Sequence, residues 1–484
     1  MSPVPFTRRA TLFLLAGVAW PALAAIGQER TLTDPSEFGR WESLGRSAVS
    51  PMGDWVAYQV SRNDGSSELR VWGDSQDSTR VFPWASDPAF SADGRWLSWT
   101  AGHSDEEKEA SETPLEDGAG VMNLAQPDLR LEFEDVAQVV FDPTGTWVAL
   151  LAHGTAEEAA GATLRVVELD TGTQTSFGSV GEVAWSDTHP LLAMTIESGS
   201  DEGNGLQVYD AQGGRLHPLD HSGSRYVGLS WRDGSSSLAV FRSSDPASAD
   251  SDSQRVMAWR DATQGQPPRV LLASPDGTGD SLQVVSSRPL EWSPDGTMLS
   301  LGLRPVPPEA EDEENRGDEA PANDAQAAES EDAEAVDDEE PPAIADVQIW
   351  HSDDVEVYAQ QRAAEGRRAS RTLAAIWHLE GDRLVVVSSR LDTSVEILPG
   401  WKHALEEDDL GYPWGAKFGR PFHDVWVIDL DNGSRQQIAE RVRYAWASEA
   451  GGWLLTFDGE DYHTQDLGTG ARYNLTESLP TVFA

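Results

Sequence analysis

One phrase recurs along this chain and restricts its fold more than any other feature. It is a small or aromatic residue, then Ser or Asp, a turn carrying Asp-Gly or its equivalent, and an alternating apolar strand. Close copies are VSPMGDWVAY from Val49, FSADGRWLSW from Phe90 and FDPTGTWVAL from Phe141. Looser copies are WSDTHPLLAM from Trp185, WRDGSSSLAV from Trp231 and WSPDGTMLSL from Trp292. The most divergent are WHLEGDRLVVV from Trp377 and WASEAGGWLLTF from Trp446. Successive starts lie 41, 51, 44, 46, 61, 85 and 69 residues apart, and self-similarity at a near-constant period marks a repeat architecture.

Each copy has a second half. LRVWGDSQDSTRVF from Leu69, LRVVELDTGTQTSF from Leu164 and LQVYDAQGGRLHPL from Leu206 are apolar-alternating runs broken by a polar turn, and DVWVIDLDNGSRQQIA from Asp424 and DYHTQDLGTGARYNLT from Asp461 share the design. Alternation on both sides of Asn-Gly, Thr-Gly or Gly-Gly signals a β-hairpin. Two hairpins per period make four strands, which is one propeller blade. Forty-three glycines and nineteen tryptophans among 484 residues fit such a fold better than a helical one. The prediction is an all-β chain, a β-propeller of seven or eight four-stranded blades over residues 30–484. The strand after each Asp-Gly is expected towards the axis, with the preceding Trp or Phe packed between blades. The alternative, a row of β-sandwich domains with coincidental turns, must explain eight copies of one phrase.

Charge and targeting bound the setting. The chain has 82 acidic against 35 basic side chains, a net charge of −47, and only three lysines, Lys108, Lys402 and Lys417. That balance speaks against nucleic acid as a partner, because such binding rests on neutralised phosphates. It fits a salty surrounding, where self-repulsion is screened. Residues Glu309 to Glu340 hold sixteen acids against Arg316 and no aromatic residue. A disordered acidic insertion is expected at 309–342, since such a stretch cannot bury enough apolar surface to offset its ordering entropy. A calcium loop is the alternative, but the fixed ligand spacing and turn glycine are missing. Residues 1–25 read as a signal peptide: Arg8 and Arg9, an apolar run from Thr11 to Trp20, then Ala22-Leu23-Ala24. Cleavage is expected near Ala24 or Ala25, giving a secreted or periplasmic chain. An uncleaved anchor is the other reading, and the paired arginines hint at twin-arginine export. No later stretch is long enough to span a membrane. The absence of cysteine excludes disulfides, cysteine nucleophiles and thiolate metal sites.

The W/F-S-x-D-G-x-W-L phrase with its L-x-V-x-D-x-x-T-G hairpin resembles the repeats of secreted bacterial propellers. Two groups carry it: the non-catalytic half of the prolyl oligopeptidase and dipeptidyl peptidase IV family of serine peptidases, and the periplasmic propeller of the Tol system. The lead-in TDPSEFGRWESLG (Thr33 to Gly45), the charged insertion and the ending RYNLTESLP (Arg472 to Pro480) are similar to the peptidases. That resemblance covers essentially all of the mature chain. It implies a propeller that covers an active site and admits short peptides to an associated hydrolase domain. The Tol-like alternative implies a self-contained scaffold that binds a protein partner.

The family's chemistry needs a G-x-S-x-G elbow on an α/β-hydrolase sheet. The nearest approaches here are Gly102-His103-Ser104 and Gly228-Leu229-Ser230, and both lack the second glycine. No catalytic residue is carried over. The ten histidines make no metal spacing, and His217 and His221 are expected to be exposed in a turn. No cofactor or metal is expected. In dipeptidyl peptidases a propeller glutamate pair grips the substrate's free amino terminus. The candidates for that role are Glu406-Glu407, with aromatics following, and then Glu106-Glu107; a solvated loop is the plainer reading of both. Two segments interrupt the repeats, Ser104 to Ala125 and Val355 to Ala375. The second is expected to form a short helix or edge strand and, with Arg362, Arg367, Arg368, Arg371 and the later Arg383, the one basic patch.

Overall fold

The structure, a computed structural model, describes residues 35–74, 79–154, 161–199, 203–243, 254–271, 281–306, 358–481 and 483. The expected signal peptide at 1–25 and acidic insertion at 309–342 lie outside them. Among the described residues almost all regular structure is antiparallel strand, gathered in seven sheets. One sheet has seven strands because Gln174–Trp185 ends one blade and begins the next, pairing Ala162–Glu168 through its first half and Leu191–Ile196 through its second. Ser179, at φ +57°, turns the chain between the halves. Among the described residues the chain is a β-propeller of eight blades, whose strands fall within 42–83, 85–133, 138–177, 180–222, 226–270, 282–305 with 373–386, 394–442 and 444–474; seven are four-stranded, and in the sixth the first strand is in two pieces, Leu282–Val285 and Glu291–Trp292.

The recurring phrase has a local physical cause. The Ser or Asp at its head accepts the backbone N–H five residues on: Ser50 from Trp55 (3.0 Å), Ser91 from Trp96 (2.9 Å), Asp142 from Trp147 (2.7 Å) and Ser293 from Met298 (2.9 Å). The carbonyl of the same head residue accepts the N–H of the glycine three on, as Ser91 does from Gly94 at 2.9 Å. Gly94 and its equivalents Gly53, Gly145 and Gly296 have φ between +69° and +80°, which only glycine adopts without strain. The turn thereby returns the chain into its second strand with one register.

That second strand alternates faces. Trp96 and Ser98 point to the next blade, Leu97 and Trp99 to the previous one. Seven buried clusters, each drawn from two successive blades, fill the junctions from blades 1 and 2 to blades 7 and 8. Tryptophans before the turn pack between blades, as the sequence predicts, and also tie them. The indole N–H groups of Trp185, Trp231 and Trp292 donate to Val140, Ala184 and Ser230 of the preceding blade, at 3.1, 2.9 and 3.0 Å. Trp231→Phe is expected to lower stability by about 1–2 kcal/mol, since it leaves the Ala184 carbonyl without this donor. A urea midpoint unchanged from the wild type contradicts that role.

Four expectations are corrected. The strand after Asp-Gly is not innermost; it is flanked on both sides, and the edge strand before the turn meets its counterparts in neighbouring blades. Trp377 does not open a blade but lies in the third strand of blade 6, Leu373–His378, its indole bound to Asp382 (2.8 Å). Blade 7 instead begins with Ser394–Ile397. Within Ser104 to Ala125, Gly118–Asn123 is no interruption; it is a fully buried third strand of blade 2. His217 and His221 likewise sit on a strand, Arg215–Ser222, the last of blade 4.

Candidate functional site: a cleft beside blade 2

Blade 2's third strand reads Gly-Ala-Gly at 118–120, and neither glycine has room for a side chain. A Cβ at Gly118 would stand 2.4 Å from the Phe133 carbonyl oxygen, and one at Gly120 2.2 Å from the Trp99 indole. An open cleft of about 1030 Å³ lies against this strand, between the segments 101–103 and 115–116, the end of blade 2 and Arg165 on the third strand of blade 3. Trp99, Leu115 and Phe133 supply its apolar walls; Glu116, Glu132 and Asp135 line it with carboxylates.

Its cations are held over rings. Arg130 lies 5.0 Å from the Trp99 centroid and 5.2 Å from Phe82, and bonds Glu132 at 2.5 Å. Arg165 lies 6.0 Å from the Phe133 ring and donates to the Glu134 carbonyl at 3.2 Å. At the rim, one oxygen of Asp135 meets both the backbone N–H and Nδ1 of His153, each at 3.1 Å. Nε2 of His153 is 3.6 Å from Glu116, whose carbonyl bonds His103 at 3.0 Å. Asp135 takes a left-handed backbone (φ +54°) to make these contacts. The cleft thus joins aromatic walls to paired charges, Glu132 with Arg130 and Asp135 with His153, in one partly apolar and partly polar surface. Among the described residues, no group of three or more His, Asp or Glu is placed to hold a metal ion.

The residues singled out from sequence lie elsewhere. Glu406 and Glu407 are neighbours on the strand His403–Asp408 and therefore point to opposite faces. Glu406 is fully buried. One oxygen accepts from Ser389 N–H (2.8 Å), Ser389 Oγ (2.6 Å) and Thr393 Oγ1 (2.7 Å), and the other pairs with Arg435. Glu407 stands 3.1 Å from His423 on the far side. The two carboxylates do not converge on one point. The segment after them forms a short helix, Pro413–Lys417, with Leu410, Trp414 and Phe418 exposed. Tyr412 donates to Asp424 at 2.7 Å, and that bond pushes its phenol up to about 12.

Glu106 and Glu107 are on the helix Asp105–Ala110, where Glu107 closes a capping box with Ser104. The backbone N–H and hydroxyl of Ser104 hold the Glu107 carboxyl below its ordinary range. Ser230 donates to the Leu290 carbonyl at 2.8 Å. The helix Tyr358–Ala369 carries Arg362, Arg367 and Arg368, of which the Arg367 and Arg368 side chains lie outside the described residues; Arg383 bonds the Asp431 carbonyl. The cleft is not visible in the sequence because its parts come from four separated segments. The usable signal was Gly-Ala-Gly inside an apolar run, which marks close approach of a neighbour.

No helix among the described residues is long and apolar enough to cross a membrane. Neither a protein-family model nor a curated protein sequence matches the chain. Among solved structures it is similar to a eukaryotic initiation factor, at 14% identity and a TM-score of 0.43, over 90% of this chain and 89% of that one. It is similar to a prolyl endopeptidase at 12% identity and a TM-score of 0.36, over 89% of this chain and 55% of that one, so it spans about half of that protein. The β-propeller domain of the Trilobed protease from Pyrococcus furiosus gives 10% identity and a TM-score of 0.33, over 83% and 97%. The propeller assignment rests on the chain's own sheets and junctions.

Proposed function

We propose that this chain is the non-catalytic propeller of an exported serine peptidase of the prolyl oligopeptidase type, where it restricts access to short peptides. One observation carries the non-catalytic part. The two serines nearest to an elbow pattern are committed to structure, Ser104 to a helix cap and Ser230 to the Leu290 carbonyl. A serine needs an aligned base and preorganised oxyanion donors to act as a nucleophile; Ser230 donates to a backbone carbonyl, which is no base, and the Glu107 carboxylate that Ser104 meets is itself tied into the capping box by the Ser104 backbone N–H. The repeat phrases support the peptidase assignment, and the cleft beside blade 2 offers peptides a surface. The reading of residues 1–25 supports export.

The 484-residue chain alone is expected not to hydrolyse fluorogenic prolyl or dipeptidyl substrates. Joined to an α/β-hydrolase domain of this family, it is expected to give activity whose fluorophosphonate label falls on that domain. Turnover by the isolated chain that disappears on Ser104→Ala or Ser230→Ala overturns the proposal. The exposed Leu410, Trp414 and Phe418 favour a second reading, a protein-binding scaffold comparable to the Tol-system propeller. Under it, hydrolytic activity fails to appear with any hydrolase domain.

A further inference from the structure

The eight blades form seven packed junctions, and the strand register identifies what is left over. In every blade one face of the second strand looks to the next blade and the other to the previous one. In blade 8 the next-facing residues are Tyr444, Trp446, Trp453, Leu455, Phe457 and Tyr473. Tyr444, Trp446, Trp453 and Tyr473 are 42–56% exposed, whereas Trp96, the equivalent of Trp453 in blade 2, is fully buried. Tyr444 stacks on Trp446 at 5.3 Å, so the face is already ordered. In blade 1 the previous-facing side carries Leu44, Val49, Val56, Tyr58, Trp72 and Val81, and four of these (Leu44, Val49, Trp72, Val81) are 41–79% exposed.

We propose that the blade 8 face docks on the blade 1 face of a second copy of this chain. Three observations carry it. The faces are the two halves of one further junction of the same kind: Trp446 is the equivalent of Val140, Ala184 and Ser230, and Val49 is the equivalent of the tryptophans that bond to them. Both stand exposed in one molecule, so neither covers the other. In a chain of net charge −47 the blade 1 face is locally neutral, with Arg62 and Arg70 paired to Glu42 and Glu68 at 2.6–3.0 Å. The blade 8 face carries one charge of each sign at its two ends, Arg443 (5.5 Å from the Tyr444 ring) and Asp466 opposite Trp453. Two copies satisfy all four faces by two head-to-tail contacts.

Sedimentation of the full chain over a concentration series tests this, with circular dichroism as the control for folding. The wild type is expected to pair. Trp446→Arg and Val49→Arg, both at exposed positions, are each expected to weaken pairing about tenfold or more. An equimolar mixture of the two variants is expected to regain association, because one intact contact remains between unlike copies. A wild type that stays monomeric at every concentration overturns the proposal. So does a mixture that associates no better than the variants alone.

Discussion

Replacing Arg435 with methionine is expected to lower stability by about 3–5 kcal/mol at neutral pH, because it strands a buried carboxylate without its counter-charge. Glu406 has no solvent exposure, and its one other source of compensation is three hydrogen bonds from Ser389 and Thr393. The guanidinium of Arg435 lies 5.1 Å over the Trp426 ring, so its removal also costs packing. Glu406→Gln alone keeps an acceptor for Ser389 and Thr393 but turns amide hydrogens towards the guanidinium. The double variant Glu406→Gln/Arg435→Met is expected to be more stable than the sum of the single losses, since an amide needs no counter-charge. Urea unfolding of the four proteins gives the coupling. A loss below about 1 kcal/mol for Arg435→Met would mean that water, not Arg435, carries the charge. The same cycle bears on the amino-terminus role considered for Glu406 and Glu407. A carboxylate whose oxygens are already occupied serves blade 7 first.

The contrast between Glu406 and the repeat shows which information a linear sequence carries. The Ser-x-x-Gly-x-Trp phrase is local: the hydroxyl, the left-handed glycine and the strand that follows all act within six residues, so their pattern survives on the page. Ser91, Gly94 and Trp96 are one such unit. The indole ties between blades were half legible, because the tryptophan position recurs while its acceptor lies in the preceding blade, 45 residues back for Trp185. Blade 7 was hidden because its turn, Leu398 to His403, lacks both Asp-Gly and a head serine. In its place Trp377 imitated the phrase by chance, within a hairpin of blade 6. Glu406 and Glu407 look like a pair in the sequence because they are adjacent, whereas in a strand adjacency separates two side chains onto opposite faces. The cleft was illegible for a different reason. Its walls come from four segments spread over residues 99 to 165, and its two glycines mark where Phe133 and Trp99 pack closely against the strand.

Gly120→Ala is accordingly expected to destabilise the protein by about 2–3 kcal/mol, although alanine is the smallest possible addition. The new methyl would meet the Trp99 ring at 2.2 Å, below any contact that real Cβ atoms make. Trp99 has little room to yield. It is 2% exposed, packs 4.5 Å from Phe82, and is capped on its cleft side by Arg130 at 5.0 Å. Close packing transmits the strain into the cluster that joins blades 1 and 2, where Leu69, Val71 and Met122 are buried with it. Trp99→Leu alone is expected to destabilise too, by removing ring contacts and leaving a gap. In Gly120→Ala/Trp99→Leu the methyl occupies part of that gap, so the combined loss is expected to fall short of the sum by at least about 1 kcal/mol. Additive losses, or a Gly120→Ala variant as stable as the wild type, would show that the indole shifts freely and that its packing does not require glycine at 120.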